Sequence, residues 1–136
     1  MQRFTIQVET DGNNAIVNLQ PELSGRLRDL KGAGLMSLFV VGSTAALTTL
    51  EYETGLVKHD LPNALQRLVP DDARYEHEAT WNDDNGHSHI RAALVGASLC
   101  IPFENGRLLT GEYQQVVLID FDTRPRRRTV IVTLLP

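Results

Sequence analysis

An α+β fold, with one large mixed and mostly antiparallel β-sheet packed by two to three helices, is predicted by three observations. Alternating apolar and polar segments open and close the chain, continuous apolar runs occupy its middle, and leucines recur at helical spacing between them. The resulting order is β-β-α-β-β-α-β-α-β-β-β, with no internal repeat and no linker. A chain of 136 residues, 42% of them apolar, can bury a core without disulfides or a structural metal, so residues 1–136 are expected to form a single domain.

"FTIQVET" alternates through Phe4, Ile6 and Val8, "DGNN" supplies turn chemistry, and "AIVNLQ" reads as a second strand, so the chain should open with a hairpin. After Pro21, well placed in a first helical turn, Leu23, Leu27 and Leu30 share a face, and Gly32 and Gly34 mark the stop. "LMSLFVVGS" is a nearly continuous apolar strand that requires cover on both faces. "AALTTLEY" follows after a bend at Gly42, and the two together should form the sheet centre. Residues 56–69 carry Leu61, Leu65 and Leu68 at helical spacing, with Pro62 tolerable only near the start.

"RYEHEAT" alternates, with Tyr75, His77 and Ala79 on one side, which predicts a short strand. "HIRAALVGAS" places Ile90, Ala93, Leu94 and Ala97 on one helical stripe, with Asn85 or Asp84 as the N-cap, and predicts a third, short helix. The last third reads as strands: "SLCIPF", an "ENGR" turn, a short "LLTG", then "EYQQVVLIDFD" and "RRTVIVTLL". Within "SLCIPF", Cys100 alternates into the core and reads as packing rather than nucleophile.

Several classes are disfavoured by composition. The single cysteine allows no intrachain bridge and no secretory leader opens the chain, so a cytoplasmic protein is expected. The longest apolar runs, such as "LFVV" and "VVLI", fall far short of the ~20 residues that span a bilayer, so no membrane partner is expected. A net charge of -4 and the lack of aromatic interleaving argue against nucleic acid, although "RPRRR" at 124–128 is strongly basic.

Candidate chemistry begins with "NDDNGHSHI" at 82–90. A zinc site needs three or four converging ligands, and His77, His87 and His89 are the candidates. On a helix, however, residues at i and i+2 point about 200° apart, so the helix assignment separates His87 from His89. A hydrogen-bonded histidine pair at a helix start is the plainer reading. Glu51 and Glu53 share one side of a strand end, suited to a base, a ligand or surface charge. Arg126 and Arg128 share one side of a strand and suit a phosphate or carboxylate, or a charged turn. "GSTAAL" offers Ser43 and Thr44 in a bend, adequate for an anion or for an ordinary turn. No G-x-S-x-G, Walker-type or dinucleotide fingerprint is present.

Together these pieces resemble the YjbQ family, also called the secondary thiamine-phosphate synthase family. The resemblance runs from about residue 4 through "STAAL" and Glu51, Asp60-Leu61, "LVPDDARYEHE", "NGHSHIRAALVGAS", "IPFENGRLLTGEYQQVVLIDFD" and "PRRR". It implies a small α+β subunit that assembles into a homotrimer, with its site near subunit boundaries. The implied activity joins a pyrimidine methyl diphosphate to a thiazole phosphate, giving thiamine phosphate and pyrophosphate. His89 and Glu51 are the implied catalytic pair. Ser43, Thr44, Asn85, Gln114, Arg126 and Arg128 are the implied binding residues for a small phosphorylated substrate. Asp60 and His77 also match the pattern, and a divalent metal, zinc or magnesium, is compatible with it. The family pattern has a His before the hydroxyl pair where this chain has Gly42, Trp where it has Tyr113, and Gly where it has Arg124.

Three functions remain open on this reading: that transferase, a metal-dependent hydrolase-like enzyme, and a non-catalytic trimeric module that binds a small molecule or assembles.

Overall fold

The computed structural model describes residues 1–136. The chain runs β1 (Gln2–Thr10), β2 (Ala15–Asn18), α1 (Gln20–Leu27), β3 (Ala33–Val41) and β4 (Ala45–Leu50). A π-helical turn (Leu56–Asp60) leads into α2 (Leu61–Leu68), followed by α3 (Glu76–Trp81) and α4 (Gly86–Val95). The remainder is β5 (Ser98–Glu104), β6 (Arg107–Leu108), β7 (Gln115–Asp120) and β8 (Arg126–Leu135).

The α+β class holds, but the single mixed sheet does not. There are two sheets, ordered β1-β8-β3-β5-β6 and β2-β7-β4, and every strand pair is antiparallel. Two turns cause the split. Asn13 and Asn14 adopt φ of 52° and 67°, and this left-handed pair sends β2 to β7 instead of folding it back on β1 as a hairpin. Gly42, at φ 137°, bends the chain between β3 and β4. β3 thus lies at the centre of the first sheet, whereas β4 is an edge of the second.

The main core lies between the sheets and under α1, where Leu23 and Leu27 meet Met36, Leu38, Leu118 and Val132. A smaller cluster packs the helices on the other face of the three-stranded sheet through Ala46, Leu65, Ala92, Ile119 and Phe121. At roughly 1.5–3 kcal/mol per fully buried aliphatic side chain, the larger cluster is the principal stabilising mass.

β3 was expected to be covered on both faces, yet Leu35, Phe39 and Val41 lie outward, each nearly half exposed. Cys100 belongs to that same outer face, paired with Ser37, and is exposed rather than core; Ile101 and Phe103 hold the buried positions of β5.

The predicted strand at 75–80 is instead α3. Glu78 reaches back to accept the Tyr75 N–H at 3.0 Å, a helix-start signature that outweighs the alternation. Within the expected second helix, the first turn is π-helical. α4 forms as predicted, but its apolar stripe faces outward: Ile90 and Leu94 are exposed, while His87, Ser88, Arg91 and Ala92 are buried. Four α-helices therefore stand where two to three were expected.

Candidate functional site

The bend at Gly42–Thr44, the end of β7, the start of β8 and the α3–α4 loop converge at one end of the three-stranded sheet. Asp120 closes β7 at the pairing position of Ala45, and Asp122 follows in the turn. Both carboxylates are buried, and such groups persist as ions only when paired and hydrogen-bonded. Arg128 meets Asp120 with a fork, Nε to Oδ2 and Nη2 to Oδ1, each at 2.7 Å. Thr10 donates to Asp120 Oδ2 at 2.6 Å. Thr44 accepts from Arg128 Nη2 at 2.7 Å and donates to Asp122 Oδ2 at 3.0 Å, joining the two pairs. Arg126 Nε closes on the same Asp122 oxygen at 2.9 Å.

Burial alone would raise both acids, but their donors win. Arg128 and Thr10 hold Asp120 below the usual carboxylate range. The Thr123 N–H, Asn85, Thr44 and Arg126 do the same for Asp122. Two guanidiniums thus balance two carboxylates, and Arg128 is buried behind Thr44. Of the readings that spacing allowed for Arg126 and Arg128, convergence on a phosphate or carboxylate or a charged turn, the fold shows both reaching the Asp122 carboxylate, at 2.9 and 3.7 Å. Arg128 is an internal counter-ion, and Arg126 alone is partly open to solvent.

Asn85 stands at the N-cap position of α4 without making a side-chain cap bond; its Nδ2 donates to Asp122 Oδ1 at 3.3 Å. The helix separates His87 from His89 as expected. His87 is buried beside Tyr75, its Nδ1 without a partner, and burial first and Arg91 second lower its pKa.

Because 76–81 is helical, His77 comes instead to His89, with ring centroids 4.3 Å apart. Asp83 holds His77 Nδ1 at 3.1 Å. Burial and then His77 lower the pKa of His89, while Asp122, Asp83 and the Ser43 backbone pull it the other way. His89 is therefore neutral near pH 7. It opens on a groove of about 380 Å³ whose lining includes Gly42, Ser43, Ala93 and Gly96. Exposed Ser43 is the hydroxyl on this groove, since Thr44 is committed to the buried network.

Glu51 and Gln114 do not join this group within the chain. Gln114 donates to Thr49 Oγ1 at 2.8 Å, at the far end of β4. The six residues of that strand put roughly 20 Å between its ends. No three His, Cys, Asp or Glu side chains gather as metal ligands, so His77, His87 and His89 do not form a metal triad within one chain. Asp120, Asp122 and Asp83 were missed from sequence. The available signal was an Asp interrupting the inward-facing run of "VVLIDFD".

A family model described as UPF0047 protein YjbQ-like matches residues 4–136. The chain belongs to the YjbQ-like UPF0047 family. The Escherichia coli UPF0047 protein YjbQ is 34% identical over 133 residues, 96% of this chain and 94% of that protein. A UPF0047 protein of Methanocaldococcus jannaschii is 30% identical over 133 residues, covering 97% and 93% of the two chains. The crystal structure of a hypothetical protein from Aeropyrum pernix superposes with a TM-score of 0.88 at 26% identity, covering 99% and 98%. An uncharacterized conserved YjbQ/UPF0047-family protein from Clostridium acetobutylicum gives 0.84 at 26%, covering 97% and 99%. The YjbQ-like scaffold thus accounts for both sheets and for the helices that carry His77 and His89. No helix is long and apolar enough to cross a membrane.

Proposed function

We propose that the protein is a transferase acting on small phosphorylated substrates, joining a pyrimidine methyl diphosphate to a thiazole phosphate. A C–N bond forms from the thiazole nitrogen to the pyrimidine methylene carbon as the C–O bond to the diphosphate breaks. Pyrophosphate leaves with the electron pair, and no oxidant or reductant is needed.

The observation that carries this reading is His89, backed by His77 and Asp83, beside a groove lined by glycine and alanine. Small residues leave space for a flat heterocycle, and a neutral imidazole offers an N–H to the departing oxygen. In the turn that follows β7, Arg126, bound to Asp122 through Nε alone, and exposed Arg124 are the cations available to the leaving group. Arg128 holds Thr44 and Asp120 in place behind them.

The reading includes a homotrimer. The outward apolar residues of β3 and the outward stripe of α4 support it, because both patterns call for cover the single chain does not give. A neighbouring copy would bring Glu51 and Gln114 to the His89 groove. Sedimentation should give three times the chain mass. In a condensation assay His89→Ala should lose at least about 100-fold in turnover with unchanged folding; turnover equal to the parent rejects the role.

Gly42 favours a second reading, a binding or assembly module without catalysis. Product formed by Gly42→His but not by the parent would decide for it.

A further inference from the structure

A second groove, of about 630 Å³, lies at the opposite edge of the three-stranded sheet, along β2 between the β1–β2 turn and the π-helical turn. Its apolar wall is Ile16 and the ring of Tyr52, whose hydroxyl donates to the Ile16 carbonyl at 3.1 Å. Its polar lining consists largely of donors. Lys58 and His59 sit side by side in the π-helical turn, are exposed, and take part in no ion pair. The nearby Glu53 is occupied by its own backbone, accepting from the N–H groups of Gly55 at 2.7 Å and Leu56 at 3.0 Å.

Asn13 and Asn14 form the other wall. Their left-handed backbone is fixed by N–H bonds to the Asp122 and Asp120 carbonyls at 2.7 and 2.9 Å. Asn14 Oδ1 is taken by buried Arg91 at 2.9 Å, which leaves Nδ2 without a protein partner. A free ammonium, an imidazole, amide donors and a flat apolar wall select an anion with an apolar body. A π-helical turn is itself an irregularity that proteins retain most often where a site needs it.

We propose that this groove binds a small organic oxyanion, a carboxylate or phosphate monoester. Its charged end meets Lys58, His59 and the Asn13–Asn14 turn, and its apolar body lies along Tyr52 and Ile16. Within one chain the site is separate from the His89 groove, and it does not depend on the reaction proposed there.

The test is an amide-shift titration of the full ¹⁵N-labelled chain with phenyl phosphate, benzoate and inorganic phosphate. Saturable shifts centred on Asn13, Asn14, Tyr52 and His59 are expected. Binding should be about tenfold weaker in Lys58→Met, whose side chain is exposed and outside the core, and unchanged in His89→Ala. The tighter of the two aromatic probes identifies the oxyanion. Shifts centred on Ser43 and His89, equal affinity in Lys58→Met and the parent, or inorganic phosphate binding as tightly as phenyl phosphate would overturn the proposal.

Discussion

Arg128 and Asp120 are joined through two parallel bonds of 2.7 Å in a setting nearly closed to solvent. Truncating one partner strands the other as a buried charge, so Arg128→Ala should cost about 3–5 kcal/mol of stability in denaturant unfolding. Lysine cannot reproduce the fork and should rescue little. Arg126→Ala, at a half-exposed position, should cost only about 1 kcal/mol. If the two alanine variants unfold alike, Arg128 is not the internal counter-ion.

Gly42 combines φ 137° with a missing Cβ that would stand 2.9 Å from Arg128 Nη1. Both Gly42→Ala and Gly42→His should therefore lose about 1–3 kcal/mol. The alanine variant carries the backbone strain together with the Cβ–Arg128 contact, and the histidine variant adds its ring to these. Thermal melts of the three proteins check this, and coincident melts would mean the bend tolerates a side chain.

Acid should destabilise the fold in two stages. His87 and His89 are held below the ordinary histidine value, so the unfolded chain takes up protons first. Their contribution is complete above about pH 6.5 and lost as pH falls through the folded values. Asp120 and Asp122 are likewise depressed, and theirs is complete above about pH 4 and lost as pH falls further. Unfolding midpoints across pH 2–8 should show both declines, the upper one smaller in His89→Gln. Stability that rises between pH 7 and 5.5 would contradict the lowered histidine pKa values.

Mixing inactive variants tests whether copies share a site. His89→Ala and Glu51→Ala proteins, unfolded and refolded together, should recover part of the parent's turnover if one copy supplies Glu51 to its neighbour's groove. Refolding each alone should recover none. No recovery in a confirmed mixed assembly would mean that Glu51 is not supplied by a neighbouring copy.

Cys100 reports on the outer face of β3 and β5. If that face is covered by another copy, a thiol reagent should modify Cys100 slowly at high protein concentration and rapidly on dilution below the assembly threshold. Equal rates at both concentrations would leave the face uncovered.

The strands and the leucine-spaced helices were legible because each expresses one period. The sheet partition was not, because it depends on the left-handed pair Asn13–Asn14 and on Gly42, whose turn geometry has no period to read. α3 was misread because six residues with alternating polarity fit a strand as well as a helix, and only the reach of Glu78 to Tyr75 decides. His89 was found, and His77 was named with it only as a third metal-ligand candidate beside His87; the helix separates His87, and the direct His77–His89 contact exists only because α3 is helical. Arg128 was seen as a cation but not as a neutralised one, since its partner Asp120 reaches it through the turn after β7. The outward stripe of α4 inverts the usual rule, and periodicity alone does not say which side of a helix a chain buries.

The pairing of β1 with β8 bears on how the protein is made. Gln2–Thr10 has no strand partner until Arg126–Leu135 has emerged from the ribosome, and β3 lacks one of its two neighbours until then as well. The larger sheet therefore closes only after β8 has emerged, and until then β1 has no strand partner and β3 has only β5. A nascent chain that has emerged past Asp120 but not yet to Arg126 holds all three strands of the smaller sheet while the larger sheet still lacks β8, so the main core stays open.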